Sequence, residues 1–132
     1  MNEPIFLTLD EVLRIHARSL AEHGGSDGTR DLALVESAAA SAKNTFYYAA
    51  GDLFDVAASY AFHLAESQAF IDGNKRTAVA AAMVFLARNG VYAQPATWEL
   101  YSAMIDVAEK KKTKAGLAEI FRKRAQQEMQ VV

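Results

Sequence analysis

Two alanine-rich apolar stretches, Leu53 to Leu64 and Thr77 to Ala87, flank a short polar loop and constrain the fold of this chain more than any other feature. In the first, Leu53, Val56, Ala57, Tyr60 and Leu64 recur at helical spacing, while Phe54, Ala58 and Phe62 occupy other faces. A helix apolar on several sides belongs at the centre of a domain. The second stretch carries no charge from Thr77 to Ala87, yet falls short of the ~20 apolar residues of a membrane span. It reads as a buried helix from about Asn74 to Arg88, closed by Asn89 and Gly90 as a C-cap. The abundance of alanine permits close contact between these two central helices.

The rest of the chain supplies elements to cover them. Thr8 to Glu11 has the form of a capping box, followed by Leu9, Val12, Leu13, His16 and Leu20 at helical spacing until Gly24 and Gly25 stop the pattern. A second, shorter helix is expected over Leu32 to Ala42. Asn44 to Gly51 has three aromatics, Phe46, Tyr47 and Tyr48, but no period, and reads as a folded loop with room for a very short β-hairpin flap. Asp52 is placed to cap the third helix. Pro95 and Thr97 mark the start of a fifth, with Glu99 in its first turn, where a negative charge complements the helix dipole. Lys110 to Lys114 separates it from a sixth, in which Leu117, Ile120, Phe121 and Ala125 share a face. The expected architecture is therefore all-α, a compact bundle of about six helices forming a single domain over residues 1–132.

Composition narrows the chemistry. A chain of 132 residues is large enough for one core without staples, and the absence of cysteine excludes disulfides, thiolate zinc sites and cysteine nucleophiles. Any metal must be held by oxygen or histidine. The formal net charge of −2 gives no global attraction to nucleic acid, so no direct nucleic-acid partner is expected. Met1 to Phe6 carries no basic segment leading into an apolar run, so no signal peptide and no membrane partner are expected, and a cytoplasmic location follows.

The loop between the central helices, Gln68-Ala69-Phe70-Ile71-Asp72-Gly73-Asn74-Lys75-Arg76, has the parts of a phosphate-handling turn. Asp72 is a hard oxygen ligand suited to magnesium, and Gly73 lets the backbone approach a ligand. Asn74 can cap the following helix or bind phosphate. Lys75 and Arg76 place two cations at a helix start, where free N–H groups already favour anions. The plainer account is a turn followed by a solvated basic helix start, which a four-residue match would favour. The match here is longer and lies between two helices.

These residues resemble the signature of the Fic/Doc superfamily, His-x-Phe-x-Asp/Glu-Gly/Ala-Asn-Gly/Lys-Arg. The similarity extends through Leu9 to Val12, Gly24 to Leu32, Asp52 to Phe54 and Phe85 to Gly90, and weakens after Pro95. Lys75 is similar to the Doc branch, the toxins of Phd/Doc-type toxin–antitoxin modules, where most Fic enzymes have glycine. The resemblance implies ATP as co-substrate and Mg2+ as cofactor, with Asp72 on magnesium and Gly73, Asn74, Lys75 and Arg76 around the phosphates. Glycine at the Lys75 position goes with AMP transfer, whereas lysine goes with an inverted nucleotide and transfer of the terminal phosphate. The Doc target is a threonine of translation elongation factor Tu. Fic-like proteins also dock target chains on a flap, a role that falls here on Phe46, Tyr47 and Tyr48.

Gln68 stands where the family places its general base. A positioned base contributes ~10²–10⁴-fold, and a carboxamide has no basic site near neutrality. Gln68 can orient a hydroxyl without deprotonating it. Three accounts are compatible with it: a degenerate homologue, an enzyme with another base, or a substitution introduced to silence a toxic protein. His63, five residues upstream, is the substitute base to weigh, although a lone histidine on an apolar helix is more often a hydrogen-bonded core residue. His16 reads as structural, His23 as an exposed helix end, and Lys110 to Lys114 as a solvated turn.

Fic proteins are often restrained by a helix bearing Ser/Thr-x-x-x-Glu, and no Ser or Thr here has Glu four residues on. Restraint then comes from a partner, which for a Doc-like chain is a small Phd-type antitoxin whose C-terminal segment orders along a groove. The leading expectation is a Doc-like protein-hydroxyl phosphotransferase of low or no activity. The alternatives are a nucleotide- or antitoxin-binding pseudo-enzyme and an AMP-transferring enzyme.

Overall fold

The computed structural model describes residues 3–92 and 97–131 and contains six helices: α1 (Leu9–His23), α2 (Leu32–Tyr47), α3 (Leu53–Ser67), α4 (Asn74–Arg88), α5 (Thr97–Ala108) and α6 (Lys114–Val131). Among the described residues the only β pairing is an isolated antiparallel bridge between Thr29 and Phe70. The chain is thus an all-α bundle, as the spacing predicts. Pro95 lies outside the described residues.

Local chemistry accounts for the helix ends. Thr8 caps α1 through a reciprocal box with Glu11, and Asp52 does the same for α3 with Asp55. Gly24 ends α1 at φ 78°, a conformation glycine adopts at no steric cost. Asn89 ends α4, and its side chain exchanges two hydrogen bonds with the backbone of Ile5, at 2.8 and 3.0 Å. The N-terminal segment is thereby tied to the far end of α4.

α3 is the central helix, packed against α2, α4, α5 and α6. Val56 to Ala61 and Leu64 are buried along it. Its neighbour α4 faces it with buried Ala78, Ala81 and Ala82, and the small side chains on both surfaces let the two helices meet closely. Tyr60 is buried with its hydroxyl accepting from the Leu7 N–H at 3.0 Å, and burial pushes the phenol up to about 12.

Two expectations need correction. α2 does not end at Ala42 but continues to Tyr47, so Asn44 to Tyr47 is helix and no β-hairpin flap forms there. Aromatic contacts explain the extension: the partly buried Phe46 and the half-exposed Tyr47 pack on Phe6, with ring centroids 6.1 and 5.8 Å away, and these contacts outweigh their modest helix propensity.

Candidate phosphate-binding site

The signature loop joins the C-terminus of α3 to the N-terminus of α4. Gln68 closes α3 in a left-handed conformation, φ 49° and ψ 44°, which for a residue with a Cβ costs roughly 1–2 kcal/mol. That turn takes the chain out of the helix and exposes the Gln68 side chain. Ala69 and Phe70 then dive into the core, both fully buried, while Ile71 and Asp72 return to the surface. Phe70 thus anchors the loop in the core.

Asn74 behaves differently from a helix cap. The N-cap of α4 is Gly73, at φ 77° and with no side-chain hydrogen bond, and Asn74 is the first helical residue. Its amide turns back to Phe70, accepting from the Phe70 N–H at 3.0 Å and donating to the Phe70 carbonyl at 2.9 Å. The side chain is therefore spent on closing the loop, and only its backbone remains for a ligand. The first intrahelical bond of α4 runs from the Thr77 N–H to the Gly73 carbonyl at 2.9 Å. The N–H groups of Asn74, Lys75 and Arg76 precede it, have no helical acceptor, and point outward with the positive end of the dipole.

Asp72 is held from three sides. The Ser26 N–H donates to Oδ2 at 3.2 Å, the Gly73 N–H to Oδ1 at 2.8 Å, and His16 Nε2 lies 2.8 Å from the backbone carbonyl. The two N–H bonds, Ser26 first, hold the carboxyl below its ordinary range, with a smaller contribution from Arg76. Gly25 is required nearby, because a Cβ there would meet Asp72 Oδ2 at 2.8 Å. The sequence pattern gives Gly25 only as a helix stop, gives neither it nor Ser26 a contact with Asp72, and reads His16 as structural. No local signal could have shown otherwise, since the contacts join residues 46 and 56 positions apart.

Gln68, Asp72, Gly73, Asn74, Lys75 and Arg76 line one open cavity of about 610 Å³. A second, of about 540 Å³, shares Gln68 and Lys75 with it and is walled by Phe62, Met104 and Val107 and by Lys110, Lys112 and Lys114. The lysine run is thus part of a cavity rim and not only a solvated turn. Among the described residues no group of three or more acidic or histidine side chains forms a metal cage. Asp72 alone fits magnesium arriving with phosphate oxygens, because Mg2+ takes one or two carboxylates and completes its shell from phosphate and water.

The other predicted residues lie elsewhere. Arg30 and Asp31 N–H both donate to the Ala69 carbonyl, at 2.7 and 3.1 Å, so α2 starts beside the signature loop and runs about 24 Å away from it. Phe46, Tyr47 and Tyr48 sit at its far end and are not brought to the cavity. The segment that does run alongside the loop is Gly28 to Asp31, through the Thr29–Phe70 bridge and an Ile71 N–H to Gly28 carbonyl bond of 3.1 Å. His63 lines a separate cavity of about 270 Å³ with Ser37, Ser41 and Glu66. Its Nε2 accepts from Lys114 Nζ at 3.1 Å, since an ammonium can only donate. Burial, then Lys114, pushes the His63 imidazole down.

A family model matches residues 6–86, more than half of the sequence and the whole lining of the phosphate cavity. The chain belongs to the Fic/DOC family. Two Doc relatives agree with this. One is the protein kinase doc of Escherichia phage P1, 35% identical over 83 residues, which are 62% of this chain and 66% of that protein. The other is the toxin Doc of Mycolicibacterium smegmatis, 43% identical over 88 residues, 65% of each chain. The chain spans just under two thirds of the length of either relative. The Fic/DOC match ends within α4, so α5 and α6, which wall the second cavity, lie beyond it.

Proposed function

We propose that this chain is a Doc-type toxin, built to transfer the terminal phosphate of ATP to a protein hydroxyl, in a form with little or no activity. The observation that carries the reading is one cavity lined together by Gln68, the start of α4 with Lys75 and Arg76, and Asp72. The name of the phage P1 relative, protein kinase doc, favours kinase chemistry, and elongation factor Tu is the target that the Doc likeness implies.

Phosphoryl transfer asks a protein mainly to position and neutralise. The backbone N–H groups of Asn74 to Arg76 cradle phosphate oxygens, and the Arg76 guanidinium offers a fork of donors. Asp72 would hold magnesium, which neutralises phosphate charge when bound. Gln68, on an exposed left-handed turn at the mouth, is placed to hydrogen-bond an incoming hydroxyl. Its amide takes no proton, so the chain holds its substrates and lacks the acceptor that completes the step. His63 does not replace it, because its Nε2 lone pair already accepts from Lys114 and its ring lines a separate cavity that Gln68 does not reach.

The partner would be a Phd-type antitoxin. A groove of about 460 Å³, lined by Ile15, Val79, Met83, Val84 and Leu100 with Arg18, Glu22 and His23 at its edges, suits the apolar face of a short helix. His23 and Arg76 line both this groove and the phosphate cavity, so a segment lying there also reaches the site.

Gln68→His tests the reading. With the base restored, expression becomes toxic, and a target protein in cell extract gains the mass of one phosphate. A gain of a whole nucleotide would instead favour AMP transfer. A folded Gln68→His protein that binds ATP yet labels nothing would leave the pseudo-enzyme.

A further inference from the structure

His16 is 4% exposed on the apolar face of α1, where an unbonded imidazole would carry a desolvation cost. Its ring stacks on Phe70, centroids 3.8 Å apart and planes within 9°, and its Nε2 lies 2.8 Å from the Asp72 carbonyl. A carbonyl only accepts, so Nε2 carries the proton and donates. The same ring lies under Gly73, whose Cβ, were there one, would be 3.7 and 3.8 Å from two of its atoms. One side chain of a regular helix therefore underpins Phe70, Asp72 and Gly73 together. The remaining holds on Asp72, the Ser26 and Gly73 N–H groups, come from a loop and from the helix cap, and both act on the carboxylate and not on the backbone.

We infer that His16 is a positioning residue: by donating from Nε2 to the Asp72 carbonyl it fixes the backbone that aims the Asp72 carboxylate at a metal-bound phosphate. This rests on the nucleotide reading above, because the direction of the carboxylate matters only to a cation arriving on phosphate. Residues that orient a metal ligand from behind typically change metal affinity 10–100-fold when altered.

Two variants separate the contacts: His16→Phe keeps a ring against Phe70 and loses the donor, whereas His16→Gln keeps a donor and loses the ring. Calorimetry with ATP, with and without magnesium, reads the magnesium-dependent gain in affinity. Amide hydrogen exchange at Ser26 and Gly73 reads the hold on the carboxylate without any nucleotide. His16→Phe is expected to lose roughly tenfold or more of the magnesium-dependent gain, with binding of magnesium-free ATP unchanged and faster exchange at those two amides, while His16→Gln retains the gain. A core-filling role would instead lower both variants in proportion to their loss of melting temperature, and that pattern overturns the proposal. So does a folded His16→Phe with the full magnesium gain and unchanged exchange. If His16→Phe does not fold, His16→Gln decides: retained gain and protection uphold the donor, and loss of both overturns it. Should the unaltered chain bind no nucleotide, the proposed function falls, and exchange in His16→Phe alone then judges whether His16 holds Asp72.

Discussion

Asn74 and Phe70 close the signature loop on itself, the Asn74 amide accepting from the Phe70 N–H at 3.0 Å and donating to its carbonyl at 2.9 Å. Phe70 is fully buried, so its backbone groups have no water to turn to. Asn74→Asp keeps the acceptor and turns the donor into a second acceptor facing the carbonyl. It is expected to destabilise the protein by about 1–3 kcal/mol. Urea unfolding measures this, and a variant within error of the parent would show that the pair is dispensable.

Gly25→Ala is expected to disturb the site from outside the signature loop. The new Cβ would come within 2.8 Å of Asp72 Oδ2, on a backbone at φ +120°. The backbone alone costs about 1–3 kcal/mol. Displacing the carboxylate also lengthens the Ser26 hydrogen bond, so the Asp72 pKa should rise toward its ordinary value, as carboxyl NMR titration would report. An unmoved titration would mean that the 24–26 turn yields without disturbing Asp72.

The acid limb of stability carries a contribution from Asp72. Its folded pKa lies below the unfolded value, so the stabilisation is fully present above the unfolded pKa of about 3.9 and is lost as pH falls through the depressed value. Asp72→Asn should therefore differ most from the parent above pH ~4 and converge with it in stronger acid. Melting temperatures across that window check the sign.

His63 titrates below the usual histidine range because it is partly buried and faces Lys114. Its neutral form supports the fold above the unfolded value of about 6.5, and protonation at lower pH sets two cations against each other. Removing the cation in Lys114→Met should raise the His63 pKa, read from ring proton shifts. A pKa that stays put or falls would show that desolvation alone sets it.

Ala81 is fully buried on the face of α4 that meets α3. Ala81→Leu adds volume to a fully packed site and should cost about 1–3 kcal/mol. The exposed Val84→Leu, on the same helix, serves as the control with little change in thermal midpoint.

Periodicity and caps made the helices legible, because apolar spacing, the Thr8 and Asp52 boxes and the Gly24 and Asn89 stops act over a few residues. The signature loop was legible for the same reason, as consecutive residues with a recognisable chemistry. The end of α2 was not, since aromatic contacts with Phe6, some forty residues away, decided it. Nor were the roles of Asn74, His16, Gly25 and Ser26, or the distance of Phe46 to Tyr48 from the cavity. Each depends on which atoms meet across the bundle, and a hydrogen bond of 2.8 Å between residues 56 positions apart leaves no trace in local spacing. Sequence determined the elements and the chemistry available at Gln68 to Arg76. Tertiary packing alone decided where the Asp72 carboxylate points and which side chains share its cavity.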